Sequence, residues 1–167
     1  DHVRNPATGQ FVDPTQQQFS PYDMKLWTIM SYVTPDQTAA FLSSYPVTGT
    51  NWGETAAGEM YSPLTPMMLD ILAIQRLYGV ATTGPLTGGN HTFGFNANIQ
   101  GYIGRFFDFN INRNPVITIW ENGTNNTLDL SGFAQDAVIN LNPGTFTSAG
   151  GKKNNIGIAF FTIIDKG

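Results

Sequence analysis

The sequence predicts an α+β protein with one long helix in its first half and a β-rich second half. The helix is indicated at 66–78, where apolar side chains recur at helical spacing between Pro66 and Gly79. After about residue 80, short β-like runs alternate with turns about every ten residues, which is typical of a sandwich or roll. We therefore divide the chain into domains 1–80 and 81–167 and expect them to pack together.

The composition limits the classes of function. The 167 residues are 41% hydrophobic and 13% aromatic, which suffices for a packed core, whereas only 12% are charged. The net charge is −4, and the sequence has no basic cluster beyond Lys152-Lys153, so a nucleic-acid partner is disfavoured. No apolar run approaches the roughly 18 residues that span a membrane. The absence of cysteine excludes disulfides and cysteine-based metal sites.

The helix has recognisable ends and a broad apolar arc. Thr65 is expected to cap it, Asp70 lies near its positive end, and Gly79 stops it. Because apolar side chains occupy a wide arc around the helix, we expect other parts of the protein to cover most of the helix surface. These residues are Met67, Met68, Leu69, Ile71, Leu72, Ile74, Leu77 and Tyr78.

The remaining elements are expected to be short. We predict a surface loop over 1–21, a short helix beginning at Thr34-Pro35-Asp36 and a long loop over 43–62. The segment 116–120 is apolar on both pleat faces, which indicates an interior strand. The predicted β runs are 91–95, 104–109, 115–120, 127–130, 137–142 and 157–164.

Three features together resemble the serralysin family of metzincin zinc proteases. The run 27–32, Trp-Thr-Ile-Met-Ser-Tyr, is similar to a Met-turn, and His2 stands 30 − 2 = 28 positions before Met30. The helix 65–79 is similar to an L-x-x-I-x-A-I-Q-x-L-Y-G pattern. The resemblance covers nearly the whole chain, although 43–62 departs from it. It implies the lower lobe of a metzincin catalytic domain, followed by the start of a β-roll.

The resemblance implies roles at a zinc site for three residues. His2 would be the third imidazole ligand, Met30 would lie beneath the site as structural support, and Tyr32 would be a labile ligand that later hydrogen-bonds the oxyanion. Simpler interpretations stay open: a solvated His2, a space-filling Met30 and an ordinary, partly buried Tyr32. Catalytic zinc uses three protein ligands and activates a water molecule.

The sequence contains no H-E-x-x-H helix, which would carry two histidine ligands and the catalytic glutamate. We therefore expect an upstream segment of the same precursor to supply these groups. We also expect the chain to be inactive in isolation. It opens at Asp1-His2 with no leader-like run, as a portion of a longer product would.

A second resemblance suggests calcium. Residues 91–96 are similar to a Y-G-F-N turn, and 120–133 are similar to W-D-x-G-G-x-D-T-x-D-x-S-G-Y, a segment whose oxygens bind calcium in the family. Asn126 replaces an aspartate and Glu121 is longer than one, so any site would be weakened. The alternative is a plain Asn/Gly turn. The candidate ligands are Glu121, Gly123, Asn126, Asp129, Thr87 and Gly89.

The resemblance implies part of a secreted bacterial zinc endopeptidase that acts on proteins or peptides. The alternative is a non-catalytic binding or scaffold module derived from such a protease. A third interpretation, a carbohydrate binder, depends on exposure of Trp52 and Tyr102. The calcium-binding repeat G-G-x-G-x-D-x-U-x is absent, because Gly150-Gly151 lacks the aspartate.

Overall fold

A computed structural model describes residues 4–13, 18–36 and 44–167. The described elements are two helices and five short strands, and the rest of the described chain forms turns and loops. In chain order they are α1 (Met68–Tyr78), β1 (Thr92–Gly94), α2 (Gly104–Phe107), β2 (Ile117–Ile119), β3 (Thr127–Asp129), β4 (Phe146–Thr147) and β5 (Ile156–Ile158).

The strands form two small sheets. In the first, β1 pairs with β3 in parallel, with Phe93 opposite Leu128 and Gly94 opposite Asp129. In the second, β5 is central and pairs in parallel with β2 and antiparallel with β4. Two small sheets of this kind are consistent with the predicted β-rich second half. All residues of β2 and β5 are buried, so the prediction of an interior strand over 116–120 is confirmed for its centre.

Two apolar clusters form the core. The first lies within the second half and is built around Phe93, Phe107, Phe109 and the isoleucines of β2 and β5. The second joins the halves, because Leu26, Trp27 and Met68 share it with Val116 and Phe146. The two halves therefore pack together as expected. The boundary near residue 80 stays a prediction.

Helix α1 is present, but Thr65 does not cap it. The helix begins at Met68, and the backbone N–H of Met67 donates to Asp70 Oδ2 at 2.8 Å. The Thr65 hydroxyl instead accepts a hydrogen bond from the backbone N–H of Thr118 at 2.8 Å. Thr65 thus fastens the segment before the helix to β2, and the expected cap was wrong because a tertiary partner competes for its hydroxyl.

The expected burial of α1 is only partly found. Met68 is buried, whereas Ile74, Leu77 and Tyr78 are exposed, Leu77 to 73% of its surface. Residues of this chain therefore cover the first turn and leave the outer face of the helix in contact with solvent. An apolar helix face of this kind is usually covered in a complete protein.

Three predicted strands are confirmed in shortened form as β1, β2 and β3, whereas the run predicted at 157–164 overlaps β5 only at 157 and 158. The prediction of a strand at 104–109 was wrong, because Gly104–Phe107 is helical. The backbone N–H groups of Arg105 and Phe106 donate to the oxygens of Tyr102 and Ile103, which places Phe107 in the core. Aromatic residues favour strands, but local turn bonds outweigh that preference here. At 137–142 the described structure has only an isolated bridge between Val138 and Ser148.

The predicted short helix after Asp36 continues into residues outside the described range. Residues 35 and 36 form a turn. Within the described part of the chain, no helix is long and apolar enough to cross a membrane.

Candidate functional site

The turn segment, residues 27–32, is held against the start of α1. The backbone N–H of Leu69 donates to Trp27 O at 3.0 Å. Trp27 itself is buried and packs edge-to-face against Phe146 at 5.2 Å between ring centroids. One end of the turn segment is therefore anchored in the second core cluster.

Asp70 fixes the centre of the turn segment. Its Oδ1 accepts the Thr28 hydroxyl at 2.5 Å, and its Oδ2 accepts the backbone N–H of Ile29 at 2.9 Å. The same Oδ2 accepts the N–H of Met67 at the start of α1. One carboxylate thus joins the turn to the helix N-terminus, where the helix dipole also favours its negative charge.

The predicted zinc-site side chains of the turn segment face solvent. Met30 is 79% exposed and Tyr32 is 50% exposed, while Ser31 between them is buried. Met30 therefore does not fill core space in this chain, and its place beneath a metal stays a prediction. His2 lies outside the described residues, so its predicted convergence with Tyr32 stays a prediction as well.

Zinc would need more ligands than the described residues bring together. Among these residues, no three His, Cys, Asp or Glu side chains are grouped so as to hold a metal ion. A catalytic zinc needs three protein ligands. The described part of the chain is therefore insufficient for a complete zinc site.

A second cluster surrounds the buried carboxylate of Glu121. Its Oε1 accepts the backbone N–H of Gly89 at 2.8 Å, and its Oε2 accepts the N–H of Gly123 at 2.6 Å. The amide of Asn126 also donates to Oε2 at 2.8 Å. We call this cluster the junction: Glu121, Asn126, and residues 88–91 and 163–166.

Asn126 is fully buried and joins the three segments of the junction. Its side-chain oxygen accepts the backbone N–H of His91 at 3.0 Å. Its side-chain nitrogen donates to Gly123 O at 3.2 Å and to Ile163 O at 2.9 Å. Its backbone N–H donates to Asp165 Oδ2 at 2.9 Å. The junction is therefore closed by a segment about 40 residues further along the chain.

Among the other predicted calcium ligands, the Asp129 carboxylate is engaged elsewhere. Asp129 accepts the Asn96 amide at 2.7 Å and the backbone N–H of Ser131 at 2.9 Å. Burial alone raises the pKa of Asp129, but the bonds from Ser131 and Asn96 outweigh it, so the pKa lies below its usual value. The Thr87 hydroxyl donates to Gly84 O at 2.8 Å.

Sequence reasoning missed three members of the junction. His91 Nδ1 lies 3.6 Å from Glu121 Oε1 and is buried without a hydrogen-bond partner, the only such side-chain atom in the described ranges. Ile163 and Asp165 contribute through the contacts just described. Ile163 and Asp165 lie too far from Asn126 in the sequence to give a local signal. His91 begins the Y-G-F-N-like turn, and that position could have indicated its place in the junction.

An apolar groove of about 330 Å³ runs between α1 and the β-rich half. It is lined by side chains that include Pro66, Ile71, Ile74, Leu86, Phe106 and Trp120. Ile74 belongs also to the exposed face of α1. The groove and that face thus form one continuous apolar surface.

The carbohydrate-binder interpretation loses one of its two aromatic residues. Trp52 is fully buried and donates its indole N–H to Asn154 O at 3.2 Å, so it cannot stack on a sugar. Tyr102 is 74% exposed and stands edge-to-face with Phe106. A single exposed tyrosine does not define a glycan platform.

Comparison with known proteins identifies the class as serralysin-like. Residues 85–167 match the family model described as Peptidase M10 serralysin C terminal. The resemblance to M10 serralysins that the motifs predicted is therefore confirmed.

Individual relatives extend the similarity into the first half. The chain is 34% identical over 150 residues to serralysin from Photorhabdus luminescens, covering 89% of this chain and 27% of the relative. It is 36% identical over 117 residues to serralysin C from Dickeya chrysanthemi, covering 68% and 24%. It is 33% identical over 137 residues to metalloprotease AprA from Pseudomonas entomophila, covering 82% and 25%. The chain thus spans about a quarter of the length of these relatives.

Proposed function

We propose that this chain is part of a secreted bacterial zinc endopeptidase that hydrolyses peptide bonds of protein substrates. Residues 1–80 would form the lower lobe of the catalytic domain, and 81–167 would form the start of the β-roll. His2 would provide the third zinc ligand, Met30 would support the site from below, and Tyr32 would bind zinc and later the oxyanion of the reaction. The similarity to proteins named serralysin and AprA supports this proposal.

The observation that carries the proposal is the bonding of Asp70 to the turn segment. Because Asp70 holds Thr28 and Ile29 at the start of α1, Met30 and Tyr32 stand on a turn with a fixed base. A catalytic or metal-binding tyrosine needs such a base, since its hydroxyl must be held within hydrogen-bond reach of the reacting atoms. An ordinary surface loop has no need of a carboxylate that serves both a turn and a helix.

The upstream part of the precursor is the proposed partner. It would bring the H-E-x-x-H helix and would cover the exposed face of α1 together with the adjoining groove. The relatives are about four times as long as the matched region, so they have chain enough to do both. Ile74, Leu77 and Tyr78 would then be interior residues of the complete enzyme.

The test uses the complete product of the parent reading frame. Zinc content is measured by inductively coupled plasma mass spectrometry, and activity is measured as casein hydrolysis. We expect His2→Ala to lose zinc and activity together. Tyr32→Phe should retain zinc and lose about 100-fold in kcat, since one oxyanion donor contributes about that factor. Tyr102→Phe, an exposed tyrosine in the β-rich half, is the matched control and should be fully active.

The rival function is a scaffold or binding module without catalysis. The replacement of the family aspartate by Asn126 favours it, because it departs from the metal-binding pattern of the same region. A parent reading frame without H-E-x-x-H, or a complete product with neither zinc nor casein hydrolysis, would establish the scaffold and exclude the protease.

A further inference from the structure

We infer that the side-chain nitrogen of Asn126 fills the position of a cation in the junction, so that this region needs no calcium. The resemblance predicts calcium here, and the described contacts do not fit it. The inference concerns the stability of the β-rich half and stands apart from the proposed zinc chemistry.

Oxygen atoms converge on one nitrogen. Asn126 Nδ2 lies 2.8 Å from Glu121 Oε2, 2.9 Å from Ile163 O and 3.2 Å from Gly123 O. A carboxylate and two backbone carbonyls are typical calcium ligands, but calcium binds oxygen at about 2.3–2.6 Å and takes six to eight of them. The distances here are those of N–H···O hydrogen bonds. An amide NH₂ presents its partial positive charge where the metal charge would otherwise lie.

The orientation of the amide follows from its partners. The Asn126 oxygen accepts the backbone N–H of His91, which is only a donor. Rotating the amide by half a turn would place its oxygen against three oxygens and its NH₂ against that N–H. The network therefore admits one orientation, with nitrogen toward Glu121.

The negative charge of Glu121 is already compensated. Two backbone N–H groups, from Gly89 and Gly123, donate to its carboxylate besides the Asn126 amide. Hydrogen bonds to the ionised form stabilise a buried carboxylate. These N–H hydrogens point at the carboxylate oxygens and would repel a metal ion there.

The two loops of the junction are in direct backbone contact. A Cβ atom at Gly89 would lie 2.1 Å from Thr124 O, and one at Gly123 would lie 2.3 Å from the nitrogen of Gly89. At these two positions even one methyl group does not fit, so glycine is required where the loops meet.

The experiment measures thermal unfolding of the 167-residue chain with calcium chloride and with EGTA. For the native chain we expect the same Tm in both solutions. Asn126→Asp places a second carboxylate against three oxygens, so in EGTA its Tm should fall by about 10 °C. Calcium should restore most of that loss, because the variant supplies the missing charged oxygen. A native Tm that rises with calcium, or a variant that calcium does not rescue, would overturn the inference.

Asn110→Asp is the matched control. It makes the same chemical change on an exposed side chain outside the junction. We expect no calcium dependence and little change in its Tm. Calcium-dependent stabilisation of this control would show that added surface charge alone explains the effect, which would also overturn the inference.

A second measurement covers the case in which Asn126→Asp does not fold. Terbium, a calcium substitute, is titrated into the native chain while its tryptophan-sensitised emission is recorded. Trp120 precedes Glu121 in the chain, so an ion bound in the junction would be sensitised. The inference requires no saturable emission, and stoichiometric emission that calcium displaces would contradict it.

Discussion

Two carboxylates organise this molecule, and they do so in opposite surroundings. Asp70 collects backbone N–H groups at a turn whose tip is exposed, with Met30 and Tyr32 in solvent. Glu121 collects backbone N–H groups at a junction that is buried and closed by Asn126. The junction satisfies its hydrogen bonds except at His91 Nδ1, whereas the turn segment exposes Met30 and about half of Tyr32. The comparison separates a buried network that closes within the β-rich half from a turn whose tip stays exposed.

The strongest test of this comparison is Glu121→Gln. The new NH₂ would face the N–H of Gly89 or Gly123, leaving a buried donor without a partner. We expect a loss of about 3 kcal/mol in the free energy of unfolding, measured by urea denaturation. Glu54→Gln, a change at an exposed position, should alter stability by less than about 0.5 kcal/mol. An equal effect of the two changes would refute the central role of Glu121.

The second test is Asp70→Asn, which should cost less because its site is partly exposed. The amide would lose one acceptor oxygen, so it could no longer serve Thr28, Ile29 and Met67 together. We expect about 1–2 kcal/mol of destabilisation. Hydrogen exchange should become faster at the amides of Ile29 and Met67. Asp136→Asn, on an exposed side chain, provides the control and should leave both amides protected.

The third test uses pH at Asp129. Because its pKa is lower in the folded chain than in the unfolded chain, the unfolded chain binds more protons as the pH falls. The stability from Asp129 is therefore complete above its ordinary pKa of 3.8 and is lost as the pH falls through the folded value. Asp129→Asn should therefore flatten the fall in stability, followed by urea denaturation, as the pH drops below that ordinary pKa. An unchanged acid profile would contradict this contribution.

In the 167-residue chain, the smallest effect on the free energy of unfolding is expected at the exposed face of α1. Leu77→Gln should change the unfolding free energy of the 167-residue chain by less than about 0.5 kcal/mol, since Leu77 is largely in solvent. In the complete precursor the same change should cost about 2 kcal/mol or more if an upstream segment covers this face. Equally small effects in both proteins would indicate that no upstream segment covers this face of α1, which would contradict the proposed partnership.

The sequence predicted secondary-structure elements better than it predicted hydrogen bonds. The helix ending at Tyr78 and the cores of three strands followed from apolar periodicity and turn residues. The cap was misassigned because the helix begins only at Met68 and the Thr65 hydroxyl accepts the backbone N–H of Thr118. The strand expected at 104–109 was overridden by turn bonds from residues 101–103.

The candidate sites show the same limit. Glu121 and Asn126 were both candidate calcium ligands, and in the structure they hydrogen-bond each other. That outcome depends on Ile163 and Asp165, which reach the junction from the far end of the sequence. Contacts between segments so far apart in the sequence produce no periodic pattern from which they could be predicted.

The hydrogen bond from Gly123 to Glu121 has a chemical consequence for ageing. Asn122 and Gly123 form an asparagine–glycine pair, the dipeptide most prone to spontaneous deamidation, in which the glycine nitrogen attacks the preceding side-chain carbonyl. Here that nitrogen donates to Glu121 at 2.6 Å, and the Asn122 side chain is tied to Gly88 and Ala81. This attack requires both sets of hydrogen bonds to open. We therefore expect Asn122 to deamidate more slowly in the folded chain than in the unfolded chain.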